Sequence, residues 1–244
     1  AALTLVGGAG DDTVIGSPHA DSIDSGTGDD TVTGGAGQDS FADAGGHDTL
    51  VESFDADLGL YDNLFVVGAV VGTDFAAGAV AEELGGLFEA ARLTGGASAT
   101  MILLGDADGV LALGSSSRSA QAWTGTVTVD PGAGADLVRL SLRQAGPVAV
   151  TILASDGSDR LVVEGTSLRE DVVVTAGHLQ ARTGDGGWAQ VGYGVDAVTI
   201  DTGSGSDRIA VRAIDVPLTL LTGAGDDRVV VGSQAGLGAT ATDW

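Results

Sequence analysis

The chain has 244 residues, of which 41 are glycine and only 4% are aromatic. Its 34 acidic residues outnumber ten basic ones, all arginine, and the net charge is −24. Such a charge opposes compaction unless cations neutralise it, and it makes nucleic acid and anionic lipid poor partners. On charge alone, a merely solubilising acidic surface is the alternative. The absence of cysteine excludes disulfides and thiolate metal sites.

Neither a membrane span nor a targeting signal is visible. No run without charge approaches the roughly 20 residues that cross a bilayer. The first residues read as a strand, without the pattern of an N-terminal signal. We therefore expect the chain to be part of a longer protein.

The N-terminal region repeats every nine residues from 7 to 51, without insertions. The five units are GGAGDDTVI, GSPHADSID, SGTGDDTVT, GGAGQDSFA and DAGGHDTLV. Aspartate always occupies the sixth place, and an apolar residue always occupies the eighth. The aspartates are Asp12, Asp21, Asp30, Asp39 and Asp48, and the apolar residues are Val14, Ile23, Val32, Phe41 and Leu50.

The repeat predicts a coil made of two half-turns. Glycine at the first, second and fourth places permits a positive φ and allows neighbouring turns to stack closely. The triplet around the eighth place predicts a very short strand with one inward side chain. Each unit is then half a coil. Units one, three and five are predicted to stack along one edge, and units two and four along the other.

Residues 58–125 differ from the repeat region in being apolar and poorly periodic. Strand-like runs lie at 64–71, 101–104 and 110–113. Between residues 80 and 91 the apolar spacing fits either a short helix or an irregular coil of the solenoid. Gly85 and Gly86 weaken the helix alternative.

The turn motif returns at longer spacing after residue 125. Four turns ending in aspartate are each followed by a strand pattern: PGAGAD at Asp136, ASDGSD at Asp159, TGSGSD at Asp207 and TGAGDD at Asp227. Their intervals are 23, 48 and 20 residues. The longest interval is predicted to hold two coils, with TGDGG at 183–187 replacing the missing motif. The pattern predicts a wider parallel solenoid with these aspartates along one edge.

The nonapeptides fit the pattern G-G-x-G-x-D-x-U-x, and residues 7–51 resemble the RTX (repeats-in-toxin) family of calcium-binding repeats. This resemblance implies calcium between stacked turns, held by sixth-place carboxylates and glycine carbonyls, which are the oxygen ligands calcium prefers. The implied ligands of one edge are Gly8, Gly10, Asp12, Gly26, Gly28, Asp30, Gly46 and Asp48. Those of the other edge are Asp21, Gly35, Gly37 and Asp39.

Two units depart from the family pattern. The second has Ser17, Pro18 and His19 where glycines belong, and whether it holds calcium stays open. The fifth has Asp43 and Ala44 in place of the paired glycines.

The four later turns resemble the family more loosely, and both calcium binding and simple turn capping by aspartate remain alternatives there. Their implied ligands are Gly132, Gly134, Asp136, Asp159, Gly203, Gly205, Asp207, Gly223, Gly225 and Asp227.

Signs of catalysis are weak, and we predict that the chain is not an enzyme. The sequence contains neither HExxH nor G-x-S-x-G, and its three histidines lie far apart. Exposed tryptophans could stack on sugar rings, so a cell-surface polysaccharide is a candidate partner. Packing is the favoured role for Trp123, Trp188 and Trp244.

The predicted fold is all-β: an RTX calcium β-roll over residues 1–60, an irregular and mainly β segment over 61–125, and a wider parallel β-solenoid over 126–244. The sequence texture resembles very large bacterial adhesins and surface-layer proteins. That resemblance implies a calcium-dependent structural or adhesive module of an extracellular surface protein or filament. The alternatives are a secretion and folding appendage of an exported enzyme and a carbohydrate-active β-helix enzyme.

Copies of the chain are a further expected partner. The run ALTLVGGAG at 2–10 resembles PLTLLTGAG at 217–225. The similarity suggests that the beginning of one copy could continue the end of another, because solenoid repeats bury their apolar rows only by stacking.

Overall fold

The computed structural model describes most of the chain, with gaps mainly in its middle third. The described residues are 1–54, 56, 58–61, 64–68, 70–71, 74–75, 79–84, 87–88, 90–94, 101–104, 109–113, 116–120, 126–131, 133–142, 149–154, 156–184 and 186–236.

Within these residues the chain forms 28 β-strands and no helix. The first fifteen are β1 (Thr4–Ala9), β2 (Thr13–Ile15), β3 (Ser22–Thr27), β4 (Thr31–Thr33), β5 (Ser40–Ala42), β6 (Thr49–Ser53), β7 (Leu58–Tyr61), β8 (Leu64–Val67), β9 (Val70–Val71), β10 (Asp74–Phe75), β11 (Val80–Glu83), β12 (Ala90–Thr94), β13 (Met101–Leu104), β14 (Gly109–Leu113) and β15 (Ser116–Ala120). The others are β16 (Thr126–Asp130), β17 (Ala133–Gly134), β18 (Leu137–Ser141), β19 (Ala149–Ile152), β20 (Asp156–Gly157), β21 (Arg160–Thr166), β22 (Glu170–Thr175), β23 (His178–Thr183), β24 (Ala189–Tyr193), β25 (Ala197–Gly203), β26 (Arg208–Val211), β27 (Leu218–Leu221) and β28 (Arg228–Val231).

Two long, mostly parallel sheets carry the architecture. Sheet A has the order β1-β3-β5-β11-β8-β7-β13-β18-β21-β25-β27, and sheet B has the order β2-β4-β6-β12-β16-β19-β24-β23-β22-β26-β28. Two small sheets, β15-β14-β10-β9 and β17-β20, complete the described strands. The predicted all-β parallel roll or solenoid is confirmed. Its division at residues 60 and 125 stays a prediction.

The nonapeptide region folds as its repeat predicts. Strands β2 and β4 pair in parallel, with Val14 opposite Val32 at a distance of two units along the chain. Strands β3 and β5 pair likewise, with Ile23 opposite Phe41. Odd-numbered and even-numbered units therefore stack separately, and their apolar residues meet between the two sheets in one continuous core.

The helix considered near residues 80–91 is wrong. Residues 80–83 form β11, which pairs antiparallel with β8, and residues 90–94 form β12, which pairs in parallel with both β6 and β16. A helix there would leave the facing edges of β6 and β16 without hydrogen-bond partners. Leu84 and Phe88 enter the common core, and the Phe88 ring meets Phe41 edge-on at 5.6 Å.

The prediction of two coils between Asp159 and Asp207 is also wrong. In sheet A, β21 pairs directly with β25, so one coil separates these two strands, and Asp207 follows half a coil later. In sheet B, the antiparallel strands β22, β23 and β24 fill the space between β19 and β26. The TGDGG segment joins two of these strands as a hairpin and does not form a solenoid turn. Residue 185 within it lies outside the described residues.

Trp188 has the packing role that the sequence favours for the tryptophans. It lies partly buried against Val173 and Ala210, and the Arg182 guanidinium lies 4.8 Å from the centre of its ring. Trp123 and Trp244 lie outside the described residues. No helix able to cross a membrane occurs in the part of the chain that the structure describes.

Candidate metal sites on the two edges of the roll

The aspartate turns lie on two edges, which we name by the sheets they connect. The A-to-B edge consists of turns that lead from a strand of sheet A into the next strand of sheet B, and the B-to-A edge consists of the reverse turns. Asp12, Asp30, Asp48, Asp207 and Asp227 belong to the A-to-B edge. Asp21, Asp39, Asp136 and Asp159 belong to the B-to-A edge.

The prediction that the four C-terminal aspartates share one edge is therefore wrong. Asp136 and Asp159 precede β18 and β21 of sheet A, whereas Asp207 and Asp227 precede β26 and β28 of sheet B. The reason is the β22–β24 hairpin segment, because the chain completes one coil and a half between Asp159 and Asp207. The two edges consequently each carry part of the C-terminal set.

Along each edge, the carboxylate of one coil accepts a hydrogen bond from the backbone of the coil before it. Oδ1 of Asp30 accepts from the Asp12 amide at 2.8 Å, and Oδ1 of Asp48 accepts from the Asp30 amide at 2.9 Å. On the opposite edge, Oδ1 of Asp39 accepts from the Asp21 amide at 2.7 Å. These bonds hold successive carboxylates in a row at the spacing of one coil.

The same arrangement continues in the C-terminal region. Oδ1 of Asp159 accepts from the Asp136 amide at 3.1 Å, and Oδ1 of Asp227 accepts from the Asp207 amide at 3.0 Å. The turns stack as well, since the Gly205 amide donates to the Ala224 carbonyl at 2.8 Å. Gly132 lies outside the described residues.

The second carboxylate oxygen, Oδ2, of several aspartates in these rows is available to bind a cation. Oδ2 of Asp12, Asp30, Asp39 and Asp207 is buried and accepts no hydrogen bond from the described residues. A buried carboxylate oxygen without a partner is costly unless a proton or a cation compensates its charge. The residues present therefore fit a bound cation between coils.

Glycine carbonyls supply the other oxygens of the turn. Gly28 has a φ of +126°, and a β-carbon built on it would lie 2.5 Å from the carbonyl oxygen of Gly10 in the preceding coil. Only glycine permits both that conformation and that approach. Carboxylate and carbonyl oxygens together form the hard donor set that calcium prefers over softer metals.

Unit two differs from its neighbours in a way its sequence suggested. Both oxygens of Asp21 are already hydrogen-bonded. Oδ1 accepts from the Leu3 amide at 2.6 Å, and Oδ2 accepts from the Ser17 amide at 2.5 Å. Oδ1 also accepts from the Ser17 hydroxyl at 3.1 Å. The preceding coil and its own turn thus satisfy both oxygens of Asp21, whereas Oδ2 of Asp30 and Oδ2 of Asp39 accept no hydrogen bond from the described residues.

The irregular fifth unit adds an acid to the row. Carboxyl oxygens of Asp30, Asp43 and Asp48 lie within 4.8 Å of one another. The pKa of Asp48 is raised first by burial and then by the charges of Asp43 and Asp30. Burial followed by the charge of Asp21 raises the pKa of Asp39 in the same way. A divalent cation would relieve both the burial and the repulsion.

Two residues that the sequence analysis did not select also occupy places in these rows. Oδ2 of Asp196 accepts from the Asp159 amide at 2.8 Å. Oδ1 of Asp207 accepts from the Glu170 amide at 2.8 Å. Asp196 has a sequence signal, since GYGVD at 192–196 has the G-x-G-x-D spacing. Glu170 has none, because its turn reads TSLRE.

Two further glutamates end the N-terminal row of the B-to-A edge. Oε1 of Glu52 accepts from the Gly34 amide at 2.6 Å, and Glu83 pairs with Ser40, which sets Glu82 beside Asp39. Burial and then nearby acids raise the pKa of Glu52 to about 7 and that of Glu82 to about 9. These acids lie beyond the nonapeptides, and no repeat pattern marks them.

These features define the class of the molecule as a parallel β-roll with carboxylate rows along its turns. The family model of the RTX calcium-binding nonapeptide repeat matches the chain in four copies, at residues 4–32 and 15–50. Residues 4–50 thus consist of RTX nonapeptide repeats, a repeat that binds calcium. No curated protein matches the chain.

Proposed function

We propose that calcium gates the folding of this chain, which serves as a structural or adhesive module of an extracellular bacterial surface protein or filament. The observation that carries the proposal is that buried oxygens of Asp12 and Asp30 on one edge, and of Asp39 on the other, accept no hydrogen bond from the described residues. Bound calcium would neutralise these oxygens and tie one coil to the next. The ladder of backbone hydrogen bonds between coils holds the carboxylates and the glycine carbonyls in the positions of calcium ligands.

The charge balance explains why folding should depend on the ion. With a net charge of −24, the chain repels itself when calcium is scarce, as it is inside a cell. Where calcium is abundant, binding to the folded state alone lowers the free energy of that state. RTX repeat proteins are typically secreted by bacteria, which supports an extracellular location. A structural rather than catalytic role is supported by acids that follow the coil repeat instead of converging on one pocket.

The experiment that tests this proposal is circular dichroism of the full chain during calcium titration after treatment with a chelator. We expect the β-sheet signal and the melting temperature to rise together with calcium, with magnesium far less effective. Because magnesium demands a smaller octahedral site, it is the matched ionic control. A β-sheet signal and a melting temperature that ignore calcium would contradict the proposal.

End-to-end association of copies is a second candidate function, favoured by a structural match between two half-coils. Residues 3–12 (LTLVGGAGDD) and 218–227 (LTLLTGAGDD) both consist of a sheet A strand followed by an A-to-B turn. Among the described strands, β1 and β2 lie at one end of the two sheets, and β27 and β28 lie at the other. Exposed Val6, Ile15 and Val231 lie on these end strands.

Light scattering at several protein concentrations, with and without calcium, measures this association. Growth of the molar mass in calcium supports it, and a constant mass at every concentration refutes it. A cell-surface polysaccharide is the proposed partner if the module is adhesive. Retention of the chain on polysaccharide affinity gels in calcium measures that interaction.

A further inference from the structure

The turn between β21 and β22 lacks the glycines and the aspartate of the calcium motif. It reads TSLRE from Thr166 to Glu170. Its backbone nevertheless stacks on the G-S-G-S-D turn of the next coil, with Thr166 opposite Gly203. The Ser204 amide donates to the Thr166 carbonyl at 3.0 Å, as the Ala224 amide donates to the Gly203 carbonyl at 3.1 Å one coil later.

Glu170 takes the place of the motif aspartate in this stack. Its amide donates to Oδ1 of Asp207 at 2.8 Å, and the Asp207 amide donates to Oδ1 of Asp227 at 3.0 Å. The turns at 166–170, 203–207 and 223–227 therefore form one continuous row on the A-to-B edge. In the N-terminal row, the Asp12 amide makes the same bond to Asp30 at 2.8 Å.

We propose that Glu170, Asp207 and the carbonyl oxygens of the 166–170 turn form a calcium site that no sequence motif marks. Glu170 and Asp207 are both 0% exposed. Oε2 of Glu170 and Oδ2 of Asp207 accept no hydrogen bond from the described residues. This inference rests on the proposed function only in its choice of calcium as the ion.

The remaining oxygen of Glu170 is fixed by its own turn. Oε1 accepts from the Thr166 hydroxyl at 2.6 Å and from the Thr166 amide at 3.2 Å. Oε2 accepts no geometric hydrogen bond from the described residues, and the Glu170 side chain lies beside those of Thr183 and Asp207. The nearby arginines are engaged with a different acid, since Arg182 lies 2.8 Å and Arg169 lies 3.6 Å from Oδ2 of Asp171. The negative charge of the Glu170–Asp207 pair thus lacks an arginine among these contacts.

A backbone carbonyl of this turn occupies the place that glycine carbonyls take elsewhere. A β-carbon on Gly205 would overlap the carbonyl oxygen of Leu168, as a β-carbon on Gly28 would crowd the carbonyl oxygen of Gly10. The carbonyl of Leu168 therefore faces the next coil in the same manner as that of Gly10. Two carboxylates and turn carbonyls give an all-oxygen donor set suited to calcium.

The position of the turn explains how the motif could be lost without losing the site. Among the described residues, the 166–170 turn is the first of its row. In the first turn of the N-terminal row, a β-carbon on Gly8 or Gly10 meets nothing within 4 Å. A side chain on the outer turn of a row thus meets no neighbouring coil, provided that the backbone there avoids the positive φ that Gly8 and Gly10 adopt. Leu168 shows this directly, because it is 59% exposed.

Calcium content of the full-length chain tests this site. The variants are Glu170→Gln, which keeps the size and the Thr166 hydrogen bonds, and Asp215→Asn, which removes the same charge from an exposed position. After equilibrium dialysis, we expect Glu170→Gln to bind about one calcium ion fewer per chain than the wild type. Asp215→Asn should bind as many as the wild type.

The outcomes separate this site from the proposed function. If the wild type binds no calcium, the proposed function fails. If Asp30→Ala loses calcium while Glu170→Gln keeps the wild-type number, the proposed function stands and this site is refuted. Crystals of the wild type grown in calcium give an independent measurement should Glu170→Gln fail to fold. An anomalous peak beside Oε2 of Glu170 supports the site. No peak there, in crystals whose N-terminal sites are occupied by calcium, refutes it.

Discussion

The N-terminal roll and the C-terminal solenoid both consist of stacked coils, but they differ in how much apolar surface each coil buries. In the roll, β2 and β4 are three residues long and each buries one apolar side chain, Val14 or Val32. In the C-terminal region, β18 buries Val138 and Leu140. Longer strands therefore bury more apolar surface in each coil, and burial is the dominant stabilising term at about 25 cal/mol per Å².

The difference implies that the two regions depend on calcium to different degrees. The roll has little apolar surface in each coil and carries carboxylate rows on both edges, so we expect its stability to come largely from bound ions. The C-terminal region adds the antiparallel strands β22–β24, in which Val172 and Val174 are fully buried. Apolar burial can hold such a region together even while its carboxylates lack a cation.

Calcium removal gives the largest expected contrast. In excess chelator, the amides of Thr31 and Thr49, which donate to Asp12 and Asp30 carbonyls in the roll, should lose nearly all protection from hydrogen exchange. The amide of Arg212, which donates to the Val174 carbonyl, should keep most of its protection. Hydrogen exchange followed by mass spectrometry measures both. Simultaneous loss in the two regions would contradict the difference in calcium dependence.

Substitution of single aspartates should show that the aspartates of the roll differ in their contribution to calcium binding and stability. Asp30→Ala removes the central carboxylate of its row, together with the bond that holds the Asp12 amide. We expect a loss of about 2 kcal/mol or more in calcium, and of at least one bound ion, because charged hydrogen bonds and ligands are lost together. Denaturant unfolding and calcium counting measure these effects.

Asp21→Ala is the matched control for Asp30→Ala. Its carboxylate is already satisfied by Leu3 and Ser17, so its removal should change calcium binding less. An equal loss of calcium in the two variants would show that the hydrogen bonds of Asp21 do not reduce its role as a ligand.

The sequence predicted the roll well because one local rule repeats there without interruption. Each unit places a carboxylate and an apolar residue at fixed offsets, so the pairing of Val14 with Val32 follows from the period alone. The C-terminal edges could not be predicted this way. Their assignment depends on the β22–β24 hairpin, which shifts Asp207 to the edge opposite Asp159 through non-local pairing.

Two residues of the carboxylate rows, Asp196 and Glu170, could not be found from the sequence, for two separate reasons. Asp196 carries the G-x-G-x-D spacing, but its glycines lie next to Tyr193 in a strand-like run that conceals the motif. Glu170 carries no signal, since its turn reads TSLRE and contains neither the glycines nor the aspartate of the motif. The spacing between 80 and 91 suggested a helix because apolar positions on two separate strands coincide with helical periodicity.

Glycine substitution should separate backbone strain from coil stacking. Gly10 and Gly28 occupy equivalent places with φ of +104° and +126°, but only a β-carbon on Gly28 would meet the preceding coil. Both Gly→Ala variants should lose about 1 kcal/mol from the strained backbone. Gly28→Ala should lose a further 1 kcal/mol or so from the clash with Gly10. Thermal unfolding in calcium measures both, and equal losses would argue against close stacking.

The smallest expected effect is the pH dependence of the stability of the folded protein in calcium. Because burial raises the pKa of Glu82 to about 9 from its ordinary value of 4.5, the folded state binds more protons than the unfolded state between these values. The stability that protonated Glu82 contributes is therefore complete below about pH 4.5 and is lost as the pH rises through about 9. Glu52, with a pKa of about 7, contributes in the same direction.

Glu82→Gln isolates this effect, since the amide keeps the volume and remains neutral at every pH. In calcium, the melting temperature of the variant should fall less between pH 6 and pH 9 than that of the wild type, as the pKa of about 9 requires. Asp215→Asn, at an exposed position, should leave the wild-type slope unchanged. If Glu82→Gln also leaves it unchanged, Glu82 is ionised in the folded chain. Its carboxylate would then need a bound cation as its partner, because so deeply buried a charge requires one.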